Sequence, residues 1–317
     1  MYRHFVFHLS SSALGIATAF GLLVPCRAEV VARPSAKGMV VEIDGSLFTE
    51  YLTRSGAKPI LWPILGPTGK PVTRAYPMSE VAGETKDHVH QRSLWFTHGD
   101  VNGVSFWHEN ANHGTIVHRR FVEVRSGEEA GFLTDNDWVG PDGKTLLSDQ
   151  RRLTFGREGH ARWIDFDITL KATSGPVKFG DTKEGTFGVR VAETMRVDAK
   201  RGGRIVNSEG KTNQDAWGRQ AAWVDYHGPV DGQSVGIAIM NHPSSFRYPT
   251  YWHVRTYGLF AANPFGIHDF PGGEKKDGSY LIEAGKSITL RYRVWIHPGD
   301  EKQGRVASAF EAYAQRK

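Results

Sequence analysis

The sequence predicts an all-β protein, a large antiparallel β-sandwich with a short C-terminal helix. Three observations predict it. Short segments rich in Val, Ile, Phe, Thr and Trp recur along the chain, separated by Gly, Asp, Asn and Pro turns. In ARWIDFDITL, Trp163, Asp165, Asp167 and Thr169 alternate with Ile164, Phe166, Ile168 and Leu170, which is the period of a half-buried strand. The 36 glycines are spread through turns, with no repeat, low-complexity tract or clear linker, which fits many strands in one domain better than two tethered domains.

The chain opens MYRHFVFHLSSSALGIATAFGLLVPCRAEV, where Arg3 precedes an apolar run and Cys26-Arg27-Ala28 offers small residues at the −3 and −1 positions of a cleavage site. This reads as a secretory signal peptide over 1–28, leaving a single sandwich domain over 29–317 in the periplasm or outside the cell. The run from Ala13 to Pro25 is shorter than the roughly 20 residues that span a bilayer. A lipobox ending in Cys26 is the weaker alternative, because Pro25 stands where Gly or Ala is usual. Strands are expected in MVVEID (39–44), TIVHRRFVEVRS (115–126), RRLTFGR (151–157), ARWIDFDITLKAT (161–173), FGVRVAETMRV (187–197), SVGIAIMNH (234–242) and SITLRYRVWIHP (287–298). Val306, Phe310 and Tyr313 are spaced for one face of a closing helix.

Composition excludes several functions. Cys26 is the only cysteine, so the mature chain has no disulfide, thiolate metal site or cysteine nucleophile. The net charge is +5, and its Lys and Arg residues are dispersed among acids with no basic cluster, so nucleic acid is not an expected partner. No segment after the leader is long and apolar enough to cross a membrane. Ser105, Ser148 and Ser244 lack the strand-turn-helix setting of an elbow serine. No glycine-rich phosphate loop precedes a helix, so nucleotide cofactors are not expected.

Two dense stretches carry the chemistry. DHVHQRSLWFTHGDVNGVSFWH (87–108) places His88 and His90 one residue apart, so on an extended strand both rings share a face, as a metal pair or an acid/base pair requires. Histidine suits proton transfer near neutrality. His98, Asp100 and Asn102 follow, in a turn where Asp and Asn also readily bond their own backbone. Arg92 offers a fork for a carboxylate or paired hydroxyls, and Trp107 a face for a sugar ring. HPSSFRYPTYWHVRTYGLFAANPFGIHDF (242–270) holds Pro243 and Pro249, which argue for a loop folding over a ligand. Within it Trp252, His253, Arg255 and Asn263 are the candidates, with His253 and Arg255 on one face if YWHVR is extended. Between these stretches, GDTKEGTFGVRV sets Asp181, Lys183 and Glu184 in a short loop, where a Lys beside a Glu can supply an acid and a base.

From about residue 35 to 300 the order of segments resembles the galactose-mutarotase-like β-sandwich superfamily. DHVHQRSLW stands where those proteins place the turn that opens the sugar pocket. WIDFDITLKATSGPVKFGDTKEGTFGVRV resembles their strand and pocket loop, and LIEAGKSITLRYRVWIHPGD their closing strand pair. The resemblance implies a sandwich with a sugar-sized pocket. It does not carry over the reaction, because Asp181, Lys183 and Glu184 stand where the catalytic His would fall and no late catalytic Glu is matched. More specifically, DHVHQRSLWFTHGDVNGVSFW with HPSSFRYPTYWHVRTYGLFAANPFG resembles a secreted bacterial PmoA-like family of unknown function whose automatic label is methane oxygenase. That label's reaction belongs to a subunit built of transmembrane helices, which this chain lacks after its leader.

The expectation is a carbohydrate-active protein binding a sugar or sugar acid. As an enzyme it would use His90 and His253 as proton carriers and Lys183 or Glu184 as their partner, with His88, Arg92, His98, Asp100, Asn102, Trp107, Trp252, Arg255 and Asn263 binding substrate. Epimerase, lyase and glycoside-cleaving chemistry all need an acid and a base across a ring. Hydrolysis would favour two carboxylates, and only Glu184 with Asp100 or Asp181 offers them. No cofactor is expected. The alternatives are a non-catalytic carbohydrate-binding module and a metal-dependent enzyme with a divalent ion at His88 and His90.

Overall fold

The computed structural model describes residues 29–316 together with Met1, Tyr2 and His4. The leader expected over 1–28, and Cys26 with it, otherwise lies outside the described residues. Two eight-stranded antiparallel sheets pack face to face. The first runs, edge to edge, Val30–Pro34, Gly38–Ile43, Ser46–Ser55, Lys58–Ile64, Leu94–His98, Gly185–Arg190, Leu259–Asn263 and Tyr251–Val254. The second runs Arg204–Asn207, Trp223–Val230, Gln233–Asn241, Ser287–Pro298, Ala161–Lys171, Thr145–Glu158, Ala130–Val139 and Thr115–Arg125. A small ribbon pairs Val177–Phe179 with Tyr280–Ile282. The antiparallel sandwich with a closing helix is the architecture expected.

Alternation along the strands sorts side chains between faces. Ile164, Phe166, Ile168 and Leu170 enter the core between the sheets, with Leu94, Phe96, Phe187 and Val189 arriving from the first sheet. Trp163 points the other way, where it joins Met240 and Trp295 beneath Val306, Ala309 and Tyr313 of the helix Val306–Ala314. No helix among the described residues is long and apolar enough to cross a membrane.

The outer face of the first sheet, turned away from the second, carries its own apolar cluster: Leu52, Ile60, Trp95, Trp107, Leu259 and Ala261, with Trp62, Met78 and Tyr257 at its margin. Gly188 lies opposite Trp95 across the ladder. A methyl group at Gly188 would stand 2.6 Å from the indole, so glycine is what lets Trp95 lie flat on the sheet.

Two expected segments differ. Residues 242–270 are not one loop: Pro243 and Pro249 precede a hairpin that pairs Tyr251–Val254 with Leu259–Asn263 and extends the first sheet. Regular pairing resumes once these prolines are past, because every residue from 250 to 263 has an N–H to donate. The strand expected over 187–197 ends at Arg190, beyond which short 3-10 turns cover Glu193–Met195 and Val197–Ala199.

Candidate functional site

The histidine stretch owes its shape to two buried arginines. Arg74 pairs with the Asp87 carboxylate and donates to the carbonyls of Thr85, His88 and Gln91 at 3.2, 3.1 and 3.3 Å. Arg190, on the outer face of its strand, donates to Asp87 at 2.9 Å and to Gln91 Oε1 at 2.5 Å. Burial alone would raise the Asp87 carboxyl, but the charge of Arg190, the His88 hydrogen bond and Arg74 together hold it well below the usual carboxylate range. The clamp holds His88 at a φ of 43° and swings its ring out over the first sheet.

From there a continuous strip of rings and cations crosses the outer face. The His90 ring lies 4.9 Å from His108 and 5.7 Å from His88, and His88 stacks nearly parallel on Tyr257 at 5.1 Å. The Arg255 guanidinium sits between Tyr257 and Trp217, 5.7 and 5.5 Å from their centroids. Trp217 bonds His253, and both rings pack against Phe270. At this end Lys183 Nζ lies 3.8 Å from Asp269 and 3.9 Å from Glu184.

Hydrogen bonding gives the two outermost histidines opposite polarity. His88 Nδ1 is 2.7 Å from Asp87 Oδ2, so in the neutral ring the proton sits on Nδ1 and Nε2 presents a lone pair. The Trp217 indole can only donate, and it donates to His253 Nδ1 at 2.9 Å. Neutral His253 therefore carries its proton on Nε2. Burial, aided by the charges of Arg255 and Lys183, pushes His253 down to about 3, and burial with the charges of His108, Lys58 and His88 pushes His90 to about 3. Both rings are neutral across the physiological range.

The structure brings His88, His90, His253, Arg255, Lys183 and Glu184 to this strip. Other expected residues are committed within the protein. Arg92 forms a two-pronged pair with Glu109 at 2.9 and 2.6 Å, and Lys58 joins at 2.8 Å. His98 is interior, packed on Phe179 and Phe265 with Nε2 2.8 Å from the Gly180 carbonyl, and burial lowers it to about 4. Asp100 accepts from the Gly103 N–H, and Asn102 bridges Pro176 and Lys178, which are hairpin duties. Trp107 is buried under His90 against Trp95. Trp252 faces the core and donates to the Ala221 carbonyl. Asn263 donates to the carbonyls of Thr182 and Lys183 and accepts from the N–H groups of Phe265 and Gly266, fixing the 182–183 loop. Asp181 accepts from Ile267, His268 and Gly278, so neither Asp100 nor Asp181 is a free carboxylate beside Glu184.

Sequence reasoning did not single out Asp87, Tyr257, Trp217 or Phe270 as site residues. Tyr257 continues the alternation of His253 and Arg255, a signal that was there to find. Trp217, in DAWGR, has no periodic context and reaches His253 only through tertiary folding.

Recesses exist elsewhere. One of about 470 Å³ beside the C-terminal helix is lined by His160, Trp295, His297 and Ser308, and one of about 500 Å³ by Glu84, Glu193 and Arg196. Volume alone does not choose between them and the strip; the strip is set apart by planar rings flanking a guanidinium that has no ion pair among the described residues. Among the described residues, the His and carboxylate ligands that converge within 4.8 Å are Asp225 and His227 of the second sheet and Glu301 in the turn after Ser287–Pro298. There the Asp225 oxygens lie 2.7 Å from His227 Nδ1 and 2.9 Å from His297 Nε2, the arrangement of a buried carboxylate holding two imidazoles.

The fold and the strip define an antiparallel β-sandwich protein with an aromatic, cation-bearing outer face. The chain belongs to a family of unknown function, DUF6807, whose profile matches residues 38–311. No curated protein matches it. Among solved structures it is similar to the alpha-galactosidase from Lactobacillus brevis, at 7% identity and a TM-score of 0.47, over 86% of this chain and 40% of that one. It is also similar to a galactose mutarotase-like protein from Lactobacillus casei, at 10% identity and a TM-score of 0.40, over 84% of this chain and 100% of the other. The chain thus spans about two-fifths of the galactosidase's length. At such identities these likenesses concern backbone architecture alone.

Proposed function

We propose that the outer face of the first sheet binds a carbohydrate and that the protein is an enzyme moving protons on it, acting in the periplasm or outside the cell behind the expected leader. The observation that carries this reading is the strip itself. Planar rings and a planar guanidinium match the apolar faces and hydroxyl edges of a sugar, and the strip ends in imidazoles of opposite polarity. His88, oriented by Asp87, is the proton acceptor, and neutral His253, oriented by Trp217, offers its Nε2–H as a hydrogen-bond donor to developing negative charge. His90, kept neutral by burial, sits beside His88 as a further imidazole. Epimerisation and elimination both need a proton acceptor and a donor that stabilises the charge left behind. Hydrolysis would ask for two free carboxylates, whereas Glu184 and Asp269 share Lys183 and Asp269 also accepts the Lys183 N–H.

The test is a product screen of the mature protein against mono- and oligosaccharides, uronic acids and oxidised sugars, repeated with His88→Gln and His253→Gln. The expected result is conversion by the wild type, with turnover lost and binding kept in both variants. Ligand binding without conversion by the wild type would replace the enzyme with a carbohydrate-binding module. A second reading places a divalent metal at His88 and His90, favoured by the Asp87 bond that leaves Nε2 of neutral His88 free to ligate. Elemental analysis finding under about 0.1 metal per chain, where tight sites fill close to stoichiometrically, would remove that reading.

A further inference from the structure

We infer that the ligand of this strip carries a carboxylate and that Arg255 is the residue that reads it. The inference rests on the carbohydrate reading above and narrows it to acidic sugars. Buried arginines elsewhere in the protein each meet a carboxylate: Arg74 and Arg190 meet Asp87, Arg151 meets Asp149, and Arg293 meets Asp165. Half-buried Arg162 and Arg247 meet no carboxylate but donate to backbone carbonyls, and Arg255 does neither. It is half-buried, its contacts are the Trp217 and Tyr257 rings, and among the described residues its guanidinium has no hydrogen bond or ion pair.

Ring contacts compensate a cation only in part, and two of them in the same place restrict the guanidinium without using its N–H donors. What remains on offer is the edge of a rigid fork, whose best partner is a planar, two-oxygen anion. A hydroxyl would satisfy the donors but leave the charge.

Local charge favours a carboxylate over a phosphate. At the Arg255 end, Arg255 and Lys183 stand with Glu184 and Asp269, and a dianionic phosphate would meet those two carboxylates with twice the repulsion that a carboxylate ligand meets. The ligand carboxylate would offset the field of Arg255 on His253, so binding and proton chemistry would be coupled.

The test uses the mature chain and isothermal titration with oligosaccharides of galacturonate, glucuronate and mannuronate, their methyl esters, and neutral gluco-, galacto- and xylo-oligosaccharides. The expected result is that an acidic oligosaccharide binds, that its methyl ester binds roughly tenfold or more weakly, and that Arg255→Gln brings the acid down to the level of the ester. Arg255→Lys, which keeps the charge but not the fork, should recover only part. Equal binding of acid, ester and neutral sugars overturns the inference and leaves the carbohydrate reading standing. Failure of every sugar to bind overturns both. Should Arg255→Gln fail to fold, the acid-to-ester comparison on the wild type still decides.

Discussion

Glu109→Gln should destabilise the protein by about 3 kcal/mol without any direct effect on ligand. The Glu109 carboxylate bridges two cations that have left water: Lys58, with none of its side chain exposed, and Arg92, with 12% exposed. Burial alone would raise Glu109, but the Arg92 hydrogen bonds and Lys58 overcome this and hold it at about 2, against an ordinary 4.5. That gap corresponds to about 3 kcal/mol, and solvent discounts it little because only 9% of the side chain is exposed. Removing one partner of a buried pair typically costs 3–5 kcal/mol, which agrees. The folded value is depressed, so the contribution is complete above pH 4.5 and is lost as pH falls through about 2. A second titration bounds the effect. Burial lowers Lys58 to about 8 in spite of Glu109, so above that pH Lys58 is already neutral in the wild type. The penalty of Glu109→Gln should therefore be smaller at pH 9 than at pH 6. Urea unfolding at pH 6 and pH 9 measures both differences. A penalty below about 0.5 kcal/mol at pH 6, the range of ordinary surface changes, would refute the reasoning. Arg92→Ala belongs to the same experiment: normal stability with lost sugar binding would return Arg92 to the ligand site.

Further outcomes follow from neighbouring geometry. Trp217→Phe removes the N–H that fixes the His253 tautomer and should lower kcat roughly tenfold or more with KM little changed; an unchanged kcat would mean that the indole bond does not set the donor. Gly188→Ala should cost about 1–3 kcal/mol by pushing Trp95 off the sheet, read as a fall in Tm. Asp225→Asn should cost roughly 3–5 kcal/mol, because it leaves His297 buried without its anion. Burial would lower His297, but Asp225 overcomes it and raises the ring above 6.5, so its share of stability is complete below that pH and lost as pH rises through the raised value. In Asp225→Asn that alkaline loss should vanish from the stability profile. Intact-mass analysis of protein from the periplasm should find a chain beginning at Glu29; a mass retaining residues 1–28 would remove the signal-peptide reading.

The strands were legible wherever one face meets the core and the other meets solvent or a second cluster, because burial then imposes a period of two on the residues. ARWIDFDITL is the clearest case: every odd position from 163 to 169 left the core and every even one entered it. Leu94–His98 resisted the same reading, since both of its faces are buried and its composition alternates with nothing. The site divides along a similar line. His253 and Arg255 were placed together by alternation within one strand, a local property. Arg92, Asp100 and Asn102 carried the right chemistry, but what decides whether such a side chain faces ligand or its own protein is the identity of partners far along the chain: Glu109 for Arg92, Pro176 and Lys178 for Asn102. Polar residues in a turn are bound to be satisfied somewhere, and nearby backbone is the cheapest place. The residues left over after that satisfaction are the informative ones. Arg255 is a cation held between rings with its N–H donors unused, and His88 and His253 each have one nitrogen fixed by a neighbour and the other free. Each fully buried guanidinium closes onto a carboxylate, whereas half-buried Arg255 stays open beside two oriented imidazoles, which is the arrangement that the proposed binding of an acidic sugar at this face requires.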